Sequence, residues 1–319
     1  MSSLYRFGLA GMILVSLLVG GAGLASCAES EATAAEQAPQ PREPYPVGMG
    51  QVWDESLIPE LRKQGFNGSL IHFYASMTPA RLERYMETAA KHGFRVMPSV
   101  RPEYLQDDGR RLAALAAVAR RFPNLWGWHC EGEYVDDKQK MVLIRDIVGK
   151  EHVVKFDNSV EVDESVTHRY SRLWYPKVRC NTDKREEPVW GRERSEIYST
   201  YPLWLLQRKV QPPNMFEVWL QAYGVYSPDQ VRPAHSKYYI PPNVEDTMYW
   251  SLMSRQAGAR AIWWYTLSCA TGEGREPMWE VKPEIWKALC QATDFLLTGE
   301  VPKQLSTGRY LVLESPAPR

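Results

Sequence analysis

Between Val47 and Leu297 the chain alternates short apolar runs with amphipathic, helix-length segments, one pair after another. A strand followed by a helix returns the chain to start the next strand parallel to the first, so successive pairs build a parallel sheet with helices over it. The apolar runs are Val47–Trp53, Ser69–Tyr74, Phe94–Val100, Leu125–Tyr134, Val153–Phe156, Ser171–Val178, Met215–Tyr223 and Ala261–Leu267. They lack strict alternation, as befits strands covered on both faces. With about 270 residues after position 46, the pattern matches one eight-stranded barrel, for which ~250 residues is typical. The expected fold is α/β, a single-domain (β/α)8 TIM barrel over residues 47–300, with a C-terminal tail at 301–319.

Local signals agree with this division. Thr78-Pro79 opens the helix RLERYMETAAKHG, with threonine as N-cap and proline at the first helical position, and Gly93 closes it. Further helices are expected over Gly109–Phe122, Asp136–Val148, Ile197–Lys209, a segment capped by Asn243, and Lys282–Leu297. The longest connections follow the sixth, seventh and eighth runs, on the side where barrels of this type carry their active sites.

The first 46 residues read differently. Arg6 precedes an apolar run, Phe7–Ala22, of the length of a secretory signal. Leu24-Ala25-Ser26-Cys27 resembles the lipobox of bacterial lipoproteins, in which the cysteine is lipidated; ordinary cleavage after Ala28 is the alternative. Residues 1–27 are thus expected to be a lipoprotein signal peptide, and 28–46, rich in Ala, Glu, Gln and Pro, a flexible tether. Either route exports the protein, and lipidation at Cys27 would hold it to a bacterial membrane in the cell envelope.

Lys plus Arg number 38 and Asp plus Glu 38, so there is no basic excess to neutralise phosphates and a nucleic-acid partner is not expected. Beyond Cys27, the cysteines Cys130, Cys180, Cys269 and Cys290 show no metal-ligand spacing. Buried thiols are the simplest reading, although an oxidising compartment also permits disulfides. Neither a phosphate-binding glycine loop nor a Ser-His-Asp signal is present, and no metal or other cofactor is expected.

Chemistry is concentrated in LWGWHCEGEY, Leu125–Tyr134, where an apolar strand runs into Glu131 and Glu133 beside His129. The segment GWHCEGEY resembles the strand-four end of glycoside-hydrolase-type barrels. The stretch from VWLQAYG through NVEDTMYWSLMSRQAGARAIWWYTL is similar to the last two βα units of bacterial proteins of the same broad, clan A-like group. The resemblance implies a carbohydrate-directed barrel in which Glu133 is the general acid/base. Hydrolysis needs a second carboxylate, at about 5–5.5 Å for direct attack on the anomeric carbon or about 6.5–9.5 Å for activating water. Glu131 and Asp157 are the nearest candidates, with Asp183 and Glu273 further off. The family's strand-seven glutamate is missing, because Gln221 stands there. Glu217 shares its parity but lies roughly 13 Å deeper.

For sugar recognition the candidates are His72 and Tyr74 at the second run, Arg101 after the third, and His129 in the fourth. Tyr175, Gln221, Tyr223 and Trp264 complete them. Each has a structural alternative: Arg101 could pair with Glu131 or Glu133, Asp157 could cap a helix, His129 could be a core histidine. Of Trp263, Trp264 and Tyr265, alternation must turn at least one outward. The expected function is therefore a saccharide-binding glycoside hydrolase. The rival expectations are a non-catalytic carbohydrate-binding barrel and a structural envelope lipoprotein.

Overall fold

The strands form where consecutive apolar residues can be buried from both sides, and eight of them assemble into one parallel sheet. They are β1 Val47–Met49, β2 Gly68–Ile71, β3 Arg95–Pro98, β4 Trp128–Glu131, β5 Val153–Phe156, β6 Arg169–Trp174, β7 Met215–Gln221 and β8 Ile262–Tyr265. The computed structural model describes residues 44–71, 77–131, 137–156, 163–174, 178–179, 201–222, 237–238, 242, 244–265, 267 and 276–298. The hydrogen-bonded order is β3-β2-β1-β8-β7-β6-β5-β4, and parallel bridges Val96–Leu125 and Ser99–His129 join the two ends. The chain is thus a nearly closed (β/α)8 barrel.

The helices are α1 Ile58–Lys63, α2 Pro79–Lys91, α3 Gln106–Ala119, α4 Lys138–Val148, α5 Tyr201–Lys209, α6 Val244–Gln256, α7 Met278–Val281 and α8 Pro283–Thr298. In α2 the Thr78 side chain accepts from the Arg81 N–H, and Leu82, Tyr85, Met86 and Ala89 form the buried stripe. Asp137 caps α4 in the same way through the Gln139 N–H. Among the described residues between β5 and β6 there is a turn at 164–166 and no helix. None of the described helices is long and apolar enough to cross a membrane.

The strands are shorter than the apolar runs that announced them. Strand β3 ends at Pro98, which has no N–H to give to a neighbouring strand, although Ser99 N–H still donates to the Ile71 carbonyl at 3.1 Å. Strand β1 stops at Met49, two residues before Gln51 takes a positive φ of 56°. Strand β6 begins at Arg169, ahead of the expected Ser171. Its buried arginine hides the start of the strand from any reading by hydropathy. In α3, Asp107, Asp108 and Gly109 have left-handed φ values of 53°, 55° and 75°, so the right-handed helix follows them. The left-handed φ favours glycine at 109, and a Cβ there would also push on Ile147 Cδ1 at 2.4 Å.

Two apolar shells result. One lies between sheet and helices and takes in Trp128, Cys130 and Trp264. The other fills the barrel: Leu70, Met97, Val154, Trp219, Ala261 and Trp263, with Trp126, Phe156, Leu173 and Tyr265 against them. Trp263 fits only because β1 and β2 present glycines to it. A Cβ on Gly48 would lie 2.1 Å from its ring, and one on Gly68 3.1 Å.

Candidate functional site

Low in the barrel, a buried carboxylate is paired with a buried guanidinium. Glu217, fully buried, accepts from Arg169 Nη2 at 2.6 Å and from Trp126 Nε1 at 2.9 Å on one oxygen, and from Trp263 Nε1 at 2.7 Å on the other. Arg169 also donates to the Trp126 carbonyl and stacks its guanidinium 4.9 Å above that indole. These three donors, one of them a guanidinium, satisfy both oxygens of a carboxylate that is out of reach of solvent. Glu217 is a structural group. Nearby His152 and His168 are held below the usual imidazole range by burial, with the Arg169 guanidinium acting in the same direction.

Above that layer, toward the C-terminal ends of the strands, the interior becomes aromatic and polar. Trp219 on β7 sits at its centre, with ring centroids of His129 at 4.7 Å, Phe156 at 5.7 Å and Tyr265 at 5.9 Å. Ser99 Oγ lies 3.3 Å from His129 Nδ1. Gln51 Nε2 donates to the Tyr265 hydroxyl at 2.9 Å. The Trp219 indole N–H, in a residue 1 % exposed, has no hydrogen-bond partner among the described residues. Leaving such a donor dry costs about 1–3 kcal/mol.

The residues anticipated from sequence fall into three groups. His129 lies in this aromatic–polar layer. Gln221 is the last residue of β7, fully buried, with Tyr265 as its Cα partner. Arg101 follows β3, its side chain 13 % exposed and its Nε 3.9 Å from Glu103. Trp264 is turned out into the helix-side shell, because strand alternation gives the inward places to Trp263 and Tyr265. Glu131 is described only as the last residue of β4, where its Cα pairs with Phe156, the last residue of β5. Adjacent strands thus end level, one at Glu131 and the other one residue before Asp157 in sequence. Cys27, His72, Tyr74, Glu133, Asp157, Tyr175, Asp183, Tyr223 and Glu273 lie outside the described residues.

Gln51, Ser99, Phe156, Trp219 and Tyr265 are the members that the sequence did not single out. Parity could have found two of them, since Trp219 precedes Gln221 by two residues and Tyr265 follows Trp263 by two. Nothing local marks Gln51. The described thiols are poor nucleophiles: Cys130 is unbridged and buried, which pushes its pKa up, and Cys290 is unbridged and pushed up to about 12 by burial and by Glu60. Among the described residues no three His, Cys, Asp or Glu side chains are grouped to hold a metal ion.

Architecture and layering together define a parallel α/β barrel with an aromatic–polar floor under its C-terminal face. No protein-family model and no curated protein matches the sequence. Among solved structures, one glycoside hydrolase shares 12% identity at a TM-score of 0.50, over 78% of this chain and 68% of that one. A chitinase from Rhizomucor miehei shares 9% identity at a TM-score of 0.50, over 79% of this chain and 99% of that one. At such identities the likeness is one of fold.

Proposed function

We propose that this chain is a carbohydrate-active barrel that binds a saccharide at the C-terminal face and hydrolyses a glycosidic bond. The observation that carries the reading is the level ending of β4 and β5 over an aromatic floor. Glu131 closes β4 beside Phe156, with His129 and Trp219 beneath. Aromatic faces of this kind bind the C–H surfaces of sugar rings, and neighbouring parallel strands about 4.8 Å apart suit a pair of carboxyl groups. In this reading Glu133 is the general acid/base and Glu131 or Asp157 supplies the second carboxylate. The shared fold with a glycoside hydrolase and a chitinase supports the substrate class by analogy. Export and lipidation at Cys27 belong to the same proposal, and palmitate labelling of the wild type but not of Cys27→Ala tests them.

The decisive experiment measures reducing-end release from a panel of polysaccharides. Glu133→Gln is expected to lower the rate about 10²–10⁴-fold, the usual contribution of a general acid. An unchanged rate removes Glu133 from the mechanism. A specific feature favours a second reading, a barrel that binds sugar without cleaving it. Strand β7 ends in Gln221, and its carboxylate Glu217 is consumed by Arg169 and two indoles. Saturable binding by the wild type with no release of reducing ends would establish that alternative.

A further inference from the structure

The chain enters the barrel through a pinned residue. Tyr45, two positions ahead of β1, donates its hydroxyl to the Ala259 carbonyl at 2.7 Å, and the Arg255 guanidinium lies 5.4 Å from its ring centre. Its own carbonyl accepts from Asn67 Nδ2 at 2.9 Å, while Asn67 Oδ1 accepts from the Val47 N–H at 2.8 Å. The Pro46 carbonyl accepts from the Ile262 N–H at 3.0 Å. Asn67 stands just ahead of β2 and Ala259 just ahead of β8, so all of these bonds gather at the N-terminal ends of the strands. Tyr45 packs against the core, whereas Pro44 beside it is exposed. The described chain thus begins at the pole of the barrel opposite the candidate site.

Length decides what this placement means for a lipid at Cys27. Cys27 and Tyr45 are 18 positions apart, and a chain of that length reaches about 65 Å when fully extended. A globular body the size of residues 44–298 has a radius of roughly 23 Å. The path over its surface from one pole to the other is then roughly 73 Å. The segment is too short to be carried round to the far pole. An anchored barrel can lean, but it cannot lay its C-terminal face flat on the bilayer.

We propose that lipidation at Cys27 orients the barrel on the membrane surface: the N-terminal pole faces the bilayer and the candidate site opens away from it, toward saccharides of the aqueous space. This rests on the lipidation reading above and not on catalysis. The test uses the full chain, purified with its lipid from membranes of expressing cells and reconstituted into phosphatidylcholine vesicles that carry a rhodamine-labelled headgroup lipid. One fluorescent amino acid is introduced at position 138 or at position 150. Lys138 opens α4 on the side of the candidate site, and Lys150 follows the other end of that helix, both being exposed. The helix between them is roughly 16 Å long. Loss of donor fluorescence to the vesicle surface is expected to be greater at 150 than at 138. Inserting about 30 residues after Gln40 adds roughly 100 Å of reach, which exceeds the path round the barrel, and is expected to shrink that difference. Equal loss at the two positions, greater loss at 138, or a difference untouched by the insertion overturns this proposal and leaves the lipidation reading standing. A wild type that takes up no palmitate overturns the lipidation reading and this orientation with it.

Discussion

Glu217 shows how one side chain can mislead a reading from sequence and still be decisive for the fold. On the strand that carries the nucleophile in the resembled family, it is the carboxylate with the right parity. In the structure it is sealed between Arg169, Trp126 and Trp263. Its four-residue offset from Gln221 was legible from spacing alone. Its partner was not, because Arg169 lies 48 residues away in sequence and only barrel closure brings the two together. Removing one member of such a pair strands the other charge in a dry interior. Glu217→Ala is therefore expected to lower unfolding stability by about 3–5 kcal/mol, measured by urea denaturation. The double replacement Glu217→Leu with Arg169→Met should recover part of that loss. A Glu217→Ala protein as stable as the wild type would show that the pair is not what holds this layer.

Strands and helices differed in how far local sequence could define them. Helix α2 was readable end to end, since its N-cap, its proline and its closing glycine are all neighbours in the chain. Strand β6 was not, because its first residue is a buried arginine whose partner is remote. The glycines of β1 and β2 belong to the same class of hidden constraint. Gly48 and Gly68 look like punctuation in a linear reading, yet they are the space into which Trp263 packs. Overfilling a close-packed interior costs about 1–3 kcal/mol. Gly48→Ala should lose that much in thermal denaturation, and the same change should cost less in a Trp263→Phe background, where the ring it meets is smaller. An undiminished melting temperature for Gly48→Ala would mean that the indole has somewhere else to go.

The barrel as a whole was legible in the rhythm of apolar runs, whereas the candidate catalytic carboxylates rest on a resemblance at one strand tip. The aromatic–polar floor fell between the two, being assembled from residues on six separate strands or their ends. The assembled molecule also acquires a pH dependence that none of its parts has alone. Burial and the Arg169 guanidinium hold His152 and His168 below 6.5, their ordinary value. The unfolded chain then binds more protons than the folded one between the two values. This stabilisation is complete above pH 6.5 and is lost as pH falls through the folded-state values. Asp54 and Asp163, lowered from 3.8 by hydrogen bonds from Ser56 and Ser165, act with the same sign but further into acid. Urea midpoints should thus decline from pH 7 toward pH 5, and a His152→Gln/His168→Gln protein should show a flatter profile over that interval. The join between β3 and β4 has a consequence of its own. Where other neighbours share a continuous ladder, these two meet at isolated bridges, Val96–Leu125 and Ser99–His129. A cylinder fastened so sparsely along one line is expected to exchange its amide hydrogens soonest there, and that line runs beside Glu131 at the end of β4. The stave that ends in Glu131 is also the one least firmly hooped.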